Sequence, residues 1–93
     1  MLRYHIIVNG DVQRVGFRYF TQRYAAAIGI CGWVRNRSDG TVEIEAEGND
    51  KEMKDFISVL RKGSRYSNVE TLDVQTMKDL KNYSSFNITG DSC

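Results

Sequence analysis

Ile30-Cys31-Gly32-Trp33-Val34-Arg35-Asn36-Arg37-Ser38-Asp39-Gly40-Thr41-Val42-Glu43-Ile44-Glu45-Ala46-Glu47 is the stretch from which the rest of the chain can be placed. Ile30 to Arg37 is rich in Ile, Trp and Val and predicts a strand. Ser38-Asp39-Gly40-Thr41 predicts a hairpin, because Asp-Gly tolerates the positive φ angles of a tight turn. Val42, Ile44 and Ala46 alternate with Glu43, Glu45 and Glu47, which predicts a strand with one buried face and one wet, acidic face.

Helical patterns flank this hairpin. Upstream, Phe17, Phe20, Tyr24, Ala27 and Ile28 fall at helical spacing, Ala25-Ala26-Ala27 favours helix, and Gly29 stops it. Downstream, Asn49 or Asp50 caps a second helix whose core positions are Met53, Phe56, Ile57 and Leu60, and Gly63 ends it. Further out, Leu2, Tyr4, Ile6 and Val8 alternate with Arg3, His5, Ile7 and Asn9 in a first strand. A fourth strand runs from about Val69 to Thr76, with Val69 or Leu72 and Val74 turned inward, and Phe86 and Ile88 mark a short last strand. The order β-α-β-β-α-β is two β-α-β units joined by a hairpin. It predicts an α+β, ferredoxin-like sandwich with two helices on one face of an antiparallel sheet, the other face being more exposed.

Ninety-three residues suit one domain, residues 1–93. Apolar residues are 41% and charged residues 27%, a balance that excludes a disordered chain. No window approaches the roughly 18 apolar residues of a membrane span. The start, Met1 to Asn9, lacks the features of a secretory signal, so the expected location is the cytoplasm. Cys31 and Cys93 make no disulfide framework; reduced thiols are the simpler expectation, with a pair between them left open. His5 is the one histidine and has no partners for a metal, which suggests a structural or surface residue. Cys31 and Trp33 read as packing residues, and a monomer is the default for so small a domain.

Thirteen Lys and Arg against 12 Asp and Glu give a net charge of +1, so nothing pulls the whole chain toward nucleic acid. Locally the charge is polarised. Val12 to Ser38 holds five arginines and no acid, whereas Asp39 to Asp55 holds seven acids and two lysines. Arginine-only segments suit anions, since the guanidinium fork matches phosphate and carboxylate. Within the basic segment, Gly10-Asp11-Val12-Gln13-Arg14-Val15-Gly16-Phe17-Arg18 joins strand to helix. Backbone N–H groups of such a loop can converge on an anion, and the helix start adds positive charge. Arg18, in the first turn, can fold back toward that anion. The loop lacks the Gly-Lys-Ser/Thr ending of a Walker A motif.

Val12-Gln13-x-Val15-Gly16-Phe17-Arg18, Gly29-x-x-Gly32-Trp33-Val34-x-Asn36 and Asp39-Gly40-x-Val42-Glu43 together closely resemble the acylphosphatases. The resemblance is dense from Gly10 to Gly48 and follows the whole chain in length and element order. It implies hydrolysis of acyl phosphates to a carboxylate and inorganic phosphate, without a metal or other cofactor. It implies that Arg18 binds the phosphoryl group with the loop amides of Val12, Gln13, Arg14, Val15, Gly16 and Phe17, and that Asn36 orients the attacking water. One position departs: the family usually has Gly where this chain has Arg14. If that residue sits at positive φ, arginine carries a steric cost of about 1 kcal/mol or more. Arg14 could add charge near the phosphate or reach a substrate carboxylate. The Gln13 side chain is expected in solvent.

Two other classes share the pattern. An RNA-binding module has the same element order but carries basic and aromatic residues on strand three, where this chain has Glu43, Glu45 and Glu47. A non-catalytic domain that binds phosphate for regulation would keep the cradle without turnover. The favoured reading has a small-molecule acyl phosphate as partner and neither nucleic acid nor membrane.

Overall fold

The computed structural model describes residues 1–90. Cys93, and with it the question of a bond to Cys31, lies outside them. The elements are β1 (Leu2–Asp11), α1 (Phe17–Ile28), β2 (Cys31–Asn36), β3 (Val42–Gly48), α2 (Asp50–Lys62), β4 (Asn68–Met77) and β5 (Phe86–Ile88). They form the ferredoxin-like α+β arrangement, with sheet order β4-β1-β3-β2-β5. β1 and β2 both pair antiparallel with β3, so they run parallel and end at the same edge of the sheet. This brings the loop after β1 beside the end of β2. β5 joins β2 in parallel on the far side.

One sheet face carries the core. Ile6 and Val8 of β1, Val34 of β2, and Val42, Ile44 and Ala46 of β3 are fully buried beneath Met53, Phe56 and Leu60 of α2. Burying each large aliphatic side chain contributes about 1.5–3 kcal/mol. α1 buries Phe17, Thr21 and Ala25. These lie four residues apart on one stripe, and the Thr21 hydroxyl is satisfied by the Phe17 carbonyl at 2.8 Å. That corrects the expected helix face: Tyr24 is 45% exposed, and its ring leans on Phe20 at 4.9 Å along the flank. Ala27 is exposed as well. α2 matches expectation more closely. Asn49 caps it through a reciprocal box with Glu52, both bonds at 2.8 Å.

In β4 the choice between Val69 and Leu72 dissolves, because both pack on the core. The register shifts between Asn9–Thr71 and Gly10–Val69, which leaves Glu70 as an extra residue and resets the alternation. Val74 lies opposite Ile6, yet on this edge strand it is 38% exposed. The hairpin is wider than a two-residue turn. Arg37 donates to the Thr41 carbonyl at 2.9 Å, and only Gly40, at φ 92°, takes the left-handed conformation.

The second sheet face is not wet. Glu45 and Glu47 are only 6% and 3% exposed, because the segment from residue 78 to 85 crosses over them. Glu47 accepts backbone N–H bonds from Lys81, Asn82 and Tyr83. Arg3 donates to Glu45 at 2.6 Å and to the Asp79 carbonyl. The Glu45 hydrogen bond pushes the Arg3 guanidinium above its ordinary value. Trp33 donates to the Tyr83 hydroxyl at 3.2 Å, and burial pushes that phenol up. Glu43 takes His5 on one oxygen and Arg35 on the other, each at 2.6 Å. Burial alone would raise the Glu43 carboxyl, but these two hydrogen bonds outweigh it and hold it below the usual range. Three buried or half-buried carboxylates are tolerable here because each has a cation or N–H groups in contact. Cys31, half-buried at the start of β2, carries a free thiol.

Candidate active site

The two helices begin differently. α2 has its capping box and two acids in the first turn; α1 has no side-chain cap among the described residues and no acid there. Its N-cap is Gly16, at φ 78°, a conformation open to glycine at no steric cost. The first N–H groups of α1 thus lie at the positive end of the helix dipole with no side-chain cap among the described residues. Arg18 sits in that first turn, where a cation is electrostatically unfavourable for the helix itself. A position that works against its own helix is a sign of function rather than folding.

A cavity of about 190 Å³ opens at this point, lined by Val12, Arg14, Gly16, Phe17 and Arg18 together with Tyr19 and Ile88. Its base is buried, with Val12 and Phe17 each 1% exposed; its rim is open, with Tyr19 60% and Ile88 38% exposed. Five of the expected site residues therefore share one hollow. Tyr19 and Ile88 were not among the expected residues; neither has a local signal, since a solvent-facing tyrosine on a helix and an edge-strand isoleucine look ordinary.

Gln13, Val15 and Asn36 do not line the cavity. The Gln13 side chain is not in solvent, as expected from sequence, but bound across the gap. Its amide nitrogen donates to the Arg37 carbonyl at 2.7 Å and the Thr41 carbonyl at 2.9 Å. These acceptors flank the hairpin just beyond Asn36, so Gln13 ties the loop to the end of β2. The hairpin is further held by Asp39, which accepts from the Thr41 hydroxyl at 2.6 Å and the Thr41 N–H at 3.0 Å. Those bonds keep the Asp39 carboxyl below its ordinary value. Asn36 is 7% exposed, on the same sheet face as Val34, and its Oδ1 is buried with no hydrogen-bond partner among the described residues. An orphaned buried acceptor costs about 1–3 kcal/mol unless something donates to it. Val15 packs partly buried against the core. Among the described residues no group of three or more His, Cys, Asp or Glu could hold a metal ion.

Arg14 adopts φ 62°, one of two non-glycine residues at positive φ among the described residues, with Asn82. The left-handed conformation costs a residue with a Cβ about 1–2 kcal/mol, and glycine's extra unfolded-state freedom returns about 0.5–1 kcal/mol of that. Arg14→Gly is therefore expected to stabilise the fold by about 0.5–1 kcal/mol, read as a higher urea midpoint at unchanged slope.

The acylphosphatase family model matches residues 4–88. The chain belongs to the acylphosphatase family. By that membership it is a hydrolase. An acylphosphatase of Bacillus licheniformis is 51% identical over 89 residues, covering 96% of this chain and 99% of that one. The crystal structure of acylphosphatase from Bacillus subtilis superposes with a TM-score of 0.93 at 44% identity, covering 96% of this chain and 99% of that one. An acylphosphatase from Coxiella burnetii gives a TM-score of 0.89 at 28% identity, over 95% of this chain and 92% of that one.

Proposed function

We propose that this acylphosphatase-family chain, residues 1–93 acting as one domain, hydrolyses the carboxyl–phosphate bond of small acyl phosphates. The observation that carries the reading is the uncapped start of α1 opening into a cavity that also holds Arg18. The phosphoryl group sits against the loop amides of residues 12–18, with the Arg18 guanidinium on its oxygens. Water donates to the orphaned Asn36 Oδ1 and attacks phosphorus in line with the departing carboxylate. The P–O bond to the acyl group breaks, its electrons leave on the carboxylate, and the water's proton passes to solvent or to the phosphate. A carboxylate leaves without a proton from a general acid, so positioning and charge stabilisation suffice. No metal or cofactor is given a role. The reading places the protein in the cytoplasm as a monomer, with no nucleic-acid partner. No described helix is long and apolar enough to cross a membrane.

Hydrolysis of benzoyl phosphate in the presence of a chelator tests this. Turnover well above the spontaneous rate is expected. A folded protein that binds inorganic phosphate but releases no benzoate would instead be a regulatory phosphate-binding domain.

A further inference from the structure

We propose that Arg14 is a specificity residue that reads a negative charge on the acyl part of the substrate, so that the preferred class is the monoacyl phosphates of dicarboxylic acids. This rests on the hydrolase reading above and goes beyond it. The cavity has a buried base, formed by Val12 and Phe17, and an exposed rim, where Arg14 stands with Tyr19 and Ile88. A phosphoryl group held by the helix start and Arg18 leaves its acyl group along that rim. Arg14 makes no side-chain hydrogen bond or ion pair among the described residues, and it lies in the segment Val12 to Ser38, which holds five arginines and no acid. It is also held at φ 62° in a position where glycine would be cheaper for the fold. An exposed guanidinium with no partner among the described residues, kept at a conformational cost beside the cavity, suits bidentate capture of a carboxylate. Tyr19 and Ile88 line the same cavity and offer apolar surface to a short carbon chain or a ring.

The experiment compares kcat/KM for 4-carboxybenzoyl phosphate and benzoyl phosphate, which differ by one carboxylate. Wild type is set against Arg14→Gln, which removes the charge and keeps a side chain at positive φ, and Arg14→Lys, which keeps the charge. The readout is the ratio between the two substrates, because a shift of the loop backbone moves both together. Wild type is expected to favour the carboxylated substrate by about tenfold; the ratio collapses in Arg14→Gln, survives in part in Arg14→Lys, and shrinks as salt is added. A ratio unchanged within about twofold between wild type and Arg14→Gln overturns the inference while leaving the hydrolase reading intact. Failure of wild type to turn over either substrate removes the hydrolase reading and this inference with it.

Discussion

Arg18→Ala lowers kcat/KM for benzoyl phosphate by about 10³- to 10⁴-fold while the protein stays folded. Removing one preorganised donor from a developing oxyanion costs about 10²–10³ in rate, and an arginine on a transferring phosphoryl group is worth about 10³–10⁵. The folded state should hold, because Arg18 is only half-buried and removes a cation from the positive end of α1. Stability within about 0.5 kcal/mol of wild type in urea, with activity gone, separates function from folding. Competitive inhibition by inorganic phosphate should weaken in parallel, since in the proposed mechanism the same guanidinium holds product. Arg18→Lys restores charge but not the fork, and recovers only part of the loss. Full activity in Arg18→Ala would remove the proposed mechanism.

Asn36→Ala acts on a different parameter. In the proposed mechanism its buried Oδ1, with no partner among the described residues, accepts from the attacking water, so kcat falls by about 10²–10³ while KM moves little. The side chain is 7% exposed, so truncation leaves a small void but also deletes an orphaned acceptor, and the two effects on stability partly cancel. Asn36→Asp keeps the shape and adds a buried negative charge beside the phosphoryl group, and should be no more active than the alanine variant. If both variants lose stability and keep kcat, Asn36 is a strand-end structural residue.

The parts of the fold legible in sequence were those with local causes. A cap at Asn49 or Asp50, the stripe of Met53, Phe56, Ile57 and Leu60, and the Asp39-Gly40 turn each lie within a few residues of the groups they organise, and of the two cap candidates the structure takes Asn49. What escaped was long-range. Nothing near Glu45 or Glu47 announces that residues 78–85 will cover them; the Arg3–Asp79 bond spans 76 positions. The wet-face expectation followed from alternation alone, and alternation does not distinguish solvent from a covering strap. Gln13 was misjudged similarly, because its acceptors lie 24 and 28 residues ahead. Arg18, which lines the cavity, and Asn36, which does not, were both reached through motif spacing. Tyr19 and Ile88 were not, since they enter by position in space. The strain at Arg14 was visible only because the resemblance marked that place as a glycine's; its φ bears this out.

The parallel pairing of β5 with β2 has a consequence for synthesis. The loop and Arg18 are made before Ile88, which lines the same cavity and comes seventy positions after Arg18. β1, the second strand of the sheet, waits for β3 and then β4 before both its edges are covered. A chain truncated after Ser85 would hold the loop of residues 12–18 without the Ile88 wall of the cavity. The cavity is complete only once β5 has paired with β2, so its last wall depends on a contact seventy positions away in sequence from Arg18.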